Sequence, residues 1–148
     1  MSLDVEVAAD GTRAPIGHAR VADLARAVLR AEKVRDAALS IAFVSPAAIA
    51  SINRRHLGHT GPTDVISFPI AAAAGQPLGG DIYICPEVAR QNARRHGAGV
   101  REEIARLVVH GVLHVLGHDH PEGEERTQSP MWRRQETLLA RNAEAWRG

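Results

Sequence analysis

Apolar and polar positions alternate at the start of the chain. Leu3, Val5 and Val7 are set against Asp4 and Glu6, the period of two expected for a strand over Leu3 to Ala8. After an Asp10-Gly11 turn the period changes. Val21, Leu24, Ala25, Val28 and Leu29 recur at helical spacing, with Arg20, Arg26 and Arg30 between them, which predicts an amphipathic helix from about Gly17 to Glu32. Leu39 to Val44 reads as a second strand. Ser45-Pro46 then caps and opens a short helix to about Asn53, with Pro at the first helical position. His56 to Pro62 reads as a loop, Thr63 to Phe68 as a short strand between two prolines, and residues 70 to 80 as a flexible connection. Gly80 to Cys85 is the next strand, followed by a helix opened by Pro86 and ending near His96-Gly97. A helix from Val100 to Leu116, an acidic turn from Pro121 to Glu125, and a last helix opened by Ser129-Pro130 complete the pattern. Met131, Leu138, Leu139 and Trp146 mark the inner side of that last segment. Strands and helices interleave without repeat or linker. The chain therefore reads as one α/β (α+β) domain over residues 1–148, a small sheet packed with helices around one buried central helix.

That central helix carries the chemistry. From Leu107 to Leu116 every residue is apolar or Gly except His110 and His114. Four residues apart, they share one helix face a turn apart. A buried imidazole without a partner costs roughly 1–3 kcal/mol, and one metal ion would satisfy both. Gly117 lets the chain leave the helix, and His120 can swing back as a third ligand. Three protein ligands leave a position for water, the pattern of a catalytic zinc site. His118 is out of phase with His120 and reads as a surface or supporting group. Asp119 is placed to orient a ligand by hydrogen bonding. The spacing of the three histidines and Gly117 is also that of the metzincin peptidases, in which a Glu follows the first His as general base. Here that position is Gly111, which cannot take a proton.

Composition narrows the setting. The chain has 148 residues, 45% of them hydrophobic, and no apolar run of the roughly 18 residues a membrane helix needs. Its first residues lack a basic segment followed by an apolar one, so no secretory signal is expected. Cys85 is the sole cysteine, which excludes an intramolecular disulfide and fits a cytoplasmic protein. A net charge of +1 does not by itself argue for nucleic acid. Lys33 is the one lysine among 18 basic residues, and a bias toward arginine is as readily compositional as functional.

Three stretches resemble one known family. The His110–His120 motif, Pro62-Thr63-Asp64-Val65-Ile66-Ser67-Phe68 and Gly80-Asp81-Ile82, with Ile52-Asn53 ahead of the second, are similar in order and spacing to the bacterial YbeY endoribonucleases. The resemblance covers most of the chain. It implies a small mixed sheet, here of four strands, and one zinc ion held by His110, His114 and His120. It also implies single-strand cleavage of ribosomal RNA, at the 3′ end of the small-subunit RNA above all, and a part in ribosome quality control. RNA and the small ribosomal subunit are the expected partners, with no DNA, no membrane and a monomeric chain. One position departs from the pattern. The family commonly has an Arg four residues after the Asn, and Leu57 stands there. Arg54, Arg55 and His59 in the same loop are the candidates to hold phosphate in its place.

The expected mechanism is attack of metal-activated water on a phosphodiester. His114 and Asp81 are the candidate catalytic residues. Asp64 is read as a brace for its own loop and Asp81 as either a water-positioning group or a strand-start brace. Two other readings stay open: an RNA-binding ribosome-assembly factor whose metal is mainly structural, which Leu57 favours, and a metallopeptidase, which Gly111 disfavours.

Overall fold

The computed structural model describes residues 1–70, 73–121 and 123–147. Ala71 and Ala72 of the expected connection and Glu122 of the expected acidic turn lie outside these. The elements run β1 (Leu3–Asp10), α1 (His18–Ala31), β2 (Ala37–Val44), α2 (Pro46–Ile52), β3 (Val65–Ile70), β4 (Leu78–Ile84), α3 (Pro86–His96), α4 (Val100–Val115) and α5 (Pro130–Arg141). A π-helical turn, Asn53–Leu57, extends α2 into what reads from sequence as the start of a loop. Gly58 ends it in the left-handed conformation at φ 69°. Trp146 lies beyond α5, after a single 3₁₀ turn, and packs half-buried against the core.

The sheet is mixed and four-stranded in the order β1-β2-β4-β3. β1, β2 and β4 are parallel, and β3 runs antiparallel to β4 at one edge. The edge position explains how β3 accommodates Pro69, which has no amide to donate. β3 begins two residues later than its sequence pattern and extends past that proline to Ile70.

The two sheet faces are covered unequally. Ile41, Phe43, Ile82 and Ile84 face the main core with α1, α4 and α5. The opposite face carries a smaller cluster, in which Val44, Ile49, Ile66 and Cys85 are buried with Phe68 and Tyr83 against them. α4 is the central helix: it packs on α1, α3, α5, β3 and β4. Val108, Val109, Val112 and Leu113 are fully buried, as the apolar run requires.

Two glycines set how closely α4 approaches β4. A Cβ on Gly111 would lie 2.8 Å from Ile82 Cγ2 and 3.2 Å from Ser67 Oγ. A Cβ on Gly80 would meet both Val115 methyls at 2.6 Å. Helix and sheet therefore touch backbone to side chain, and this seats the histidine face of α4 at the open edge of the sheet beside β3.

Candidate metal centre in an edge-strand cleft

His110 and His114 project from consecutive turns of α4, and Gly117, at φ 97°, turns the chain so that His120 returns to them. The three ring centroids are 4.8, 5.1 and 5.1 Å apart. One nitrogen from each ring lies within 4.8 Å of the others, so the cluster could hold a metal ion.

Hydrogen bonds decide which nitrogen two of the three rings offer. Gln135 of α5 is 1% exposed and lies 2.7 Å from His110 Nδ1 through its Oε1. Its amide nitrogen donates to Glu136 Oε2 at 3.0 Å. A carboxylate only accepts, so the amide is oriented with its oxygen toward His110, and His110 Nδ1 must carry the proton. The Nε2 lone pair is then free for a cation. Likewise His120 Nδ1 donates to the Pro121 carbonyl at 3.0 Å, leaving Nε2. Burial pushes the His110 pKa down to about 4, its hydrogen bond to Gln135 opposing and the neighbouring histidines and Arg126 reinforcing the fall. Burial also lowers His114. Neutral imidazole is the form that ligates metals, so burial prepares the donors. These features fit one cation held by three neutral imidazoles.

Glu136 is itself balanced. Arg106 donates to both of its oxygens at 3.0 and 3.1 Å and to buried Glu103 at 3.0 Å. These carboxylates hold Arg106 firmly in its charged form against the cost of burial. A chain of partners thus runs Arg106–Glu136–Gln135–His110 behind the cluster.

The cluster opens on a cleft of about 880 Å³, lined also by Leu57, Val65, Ser67, Arg95, Arg126 and Trp132. Not every residue expected at the site is there. Asp81 is on the wrong side of the sheet: Ile82 faces α4, so its neighbour faces away, and Asp81 accepts from Ser40 Oγ at 2.7 Å. It braces β4 against β2, and its candidacy as a catalytic residue is withdrawn. Arg54, Arg55 and His59 are exposed and do not line the cleft. Of the π turn only Leu57 lines the cleft, while Arg55 donates to the Ser51 carbonyl and the His56 ring meets Phe68 edge-on. Asp119 accepts from the backbone amide of His120 at 2.9 Å, so it shapes the turn rather than the ring. Asp64 braces its loop through the Val65 amide and Asn92. His118 is tied to Glu32 at 2.6 Å.

Sequence reading missed Gln135, Arg126 and Trp132. The first had a signal: with Met131, Leu138 and Leu139 it lies on the apolar stripe of α5, where a polar side chain must find a partner.

The model of the family described as Endoribonuclease YbeY matches residues 7–143. The chain belongs to the YbeY endoribonuclease family. Curated YbeY relatives, each named Endoribonuclease YbeY, include one from Thermobifida fusca, 39% identical over 95% of this chain and 93% of the relative. Another, from Frankia casuarinae, is 39% identical over 93% of this chain and 74% of the relative. A Thermotoga maritima protein solved in solution has the same fold, with a TM-score of 0.64 over 96% of this chain and 91% of that one, at 24% identity. Membership makes this chain an RNA-cleaving enzyme of the YbeY type, and its fold is the α/β arrangement with a mixed four-stranded sheet expected from sequence. No helix among the described residues is long and apolar enough to cross a membrane.

Proposed function

We propose that this chain is a zinc-dependent, single-strand-specific endoribonuclease acting on ribosomal RNA. Its target would be the 3′ end of the small-subunit RNA, with a part in ribosome quality control in the cytoplasm. The substrate assignment follows the family. The chemistry follows from the cluster of His110, His114 and His120 opening on the cleft. A zinc ion held there supplies Lewis acidity for the phosphodiester and for the attacking water. The chain's own residues hold and orient. His110 and His120 present Nε2 because Gln135 and the Pro121 carbonyl occupy Nδ1. The carboxylates lining the cleft are engaged elsewhere, Asp64 with Asn92 and Val65, Glu103 and Glu102 with Arg106. Gly111 leaves no base beside His110, and even a Cβ there would lie 2.8 Å from Ile82 Cγ2.

Leu57 in the cleft favours a second reading, an RNA-binding assembly factor with a structural metal. Both are tested with a labelled single-stranded RNA carrying a small-subunit 3′ end. Cleavage should require one zinc per chain and fall at least about a hundredfold in His114→Ala. Cleavage that persists after the metal is removed refutes zinc dependence. Tight RNA binding by the zinc-loaded protein without cleavage selects the second reading.

A further inference from the structure

We propose that Arg126 and Trp132 form a nucleotide subsite in the cleft onto which the histidines open, taking one base and one phosphate of single-stranded RNA. The inference rests on the endoribonuclease reading of the same cleft and adds where the strand is gripped.

The first observation is placement. Both side chains line the cavity onto which the histidine cluster opens. Trp132 is the only tryptophan, tyrosine or phenylalanine on that lining, in a chain with just five such residues. The second is the pairing. The Arg126 guanidinium carbon lies over the Trp132 ring, 5.4 Å from its centroid. The third is that the pair is held before any ligand arrives. Ser129, itself 5% exposed, donates its hydroxyl to the Arg126 carbonyl at 2.7 Å. The same oxygen accepts from the Trp132 amide at 3.2 Å. One hydroxyl can do both, having one proton and two lone pairs. The cap that starts α5 therefore also ties the backbones of the two residues to each other.

Charge separates Arg126 from the other arginines of the cleft. Arg106 is saturated by Glu103 and Glu136, and Arg95 reaches Asn92. Arg126 has no carboxylate partner among the described residues, so its N–H fork is available for phosphate oxygens. A planar cation on an aromatic ring is a surface on which bases stack irrespective of sequence. The subsite thus supplies the cleft with the phosphate-binding charge that Leu57 does not.

Trp146 and Trp132 are the only tryptophans, and Trp146 does not line the cleft. In the zinc-loaded Trp146→Phe protein, selectively excited tryptophan fluorescence reports on Trp132 alone. Titration with a short single-stranded 2′-O-methyl oligoribonucleotide should quench it saturably. Trp132→Leu, made in the wild-type background and followed by anisotropy of the labelled oligonucleotide, should weaken binding about five- to a hundredfold. Arg126→Ala should weaken it and reduce the slope of log affinity against log salt by about 0.7, one phosphate contact. Arg126→Lys should restore most of that slope. Zinc content should be one per chain throughout. If both variants bind with wild-type affinity and salt slope, the subsite is overturned and the endoribonuclease reading stands. Weakened binding accompanied by zinc loss overturns it as well, since the residues would then serve the fold. If the wild-type protein binds no single-stranded RNA, both readings fall together.

Discussion

Gly111 shows how one missing side chain separates two chemistries that share a histidine spacing. A glutamate there would have to occupy the space of Ile82 and Ser67, because even a Cβ comes within 2.8 Å of a branched methyl. The helix is docked too closely on β4 to carry a base at that position. Two effects compete in Gly111→Ala. Helix propensity favours Ala by about 1 kcal/mol. Overpacking against a β-branched neighbour costs about 1–3 kcal/mol. The steric effect should win by about 1 kcal/mol, lowering Tm by about 2–4 °C for a chain of this size. An unchanged or raised Tm in a thermal melt would show that α4 and β4 can part at no cost. Gly111→Glu should fail to accumulate as folded protein and should acquire no peptidase activity.

Among the elements, α4 was legible and α5 was only half so. The apolar run with two histidines announces a buried metal-binding helix, and the alternating and apolar strands announce the sheet. What sequence could not show is which way short strands face. Asp81 alternates with Ile82 and Ile84 in β4, but which of the two sides carries the histidines was decided only by Gly80 and Ile82 meeting α4. Nor could it show that the residues from Asn53 continue as a π turn, which sends Arg54 and Arg55 to solvent and puts Leu57 on the lining of the cleft. The contribution of α5 depends on a contact across 25 residues, Gln135 to His110. The α4–α5 interface has a pH signature. Folding lowers the His110 pKa from 6.5 to about 4, so below pH 6.5 the unfolded chain binds a proton that the folded chain refuses. Stability of the metal-free protein is then full above pH 6.5 and is lost as pH falls from 6.5 toward 4. His114 acts in the same direction. The Tm of chelator-treated protein should fall across that window, and His110→Gln should flatten the fall. An equal slope in the variant would place the proton uptake elsewhere.

At the scale of the whole molecule, the third ligand depends on residues far from it in sequence. His120 sits in a segment outside regular structure, and the chain between α4 and α5 is anchored by Glu32 at the end of α1. One Glu32 oxygen meets His118 Nε2 at 2.6 Å and the other meets Arg134 Nε of α5 at 2.9 Å. α1, the ligand-bearing segment and α5 thus converge on one carboxylate, only 14% exposed. Its partners are about a third exposed, so the ion pairs themselves contribute on the order of 1 kcal/mol or less to folding. Their larger effect is on geometry, because a ligand on a loose segment must be ordered when the metal binds. Glu32→Ala should therefore leave the Tm of the metal-free protein within a few degrees of wild type. The same change should weaken zinc binding about ten- to a hundredfold, the range seen when groups supporting metal ligands are removed. At a fixed zinc concentration that gave 100-fold saturation in the wild type, a hundredfold weaker site loses most of the roughly 2.7 kcal/mol that binding adds to stability. The zinc-dependent rise in Tm should shrink accordingly. Chelator competition and paired melts measure both quantities. A variant with wild-type zinc affinity would mean that Asp119 and the Pro121 carbonyl seat His120 by themselves. One that is unstable without metal would instead make Glu32 a part of the fold rather than of the site.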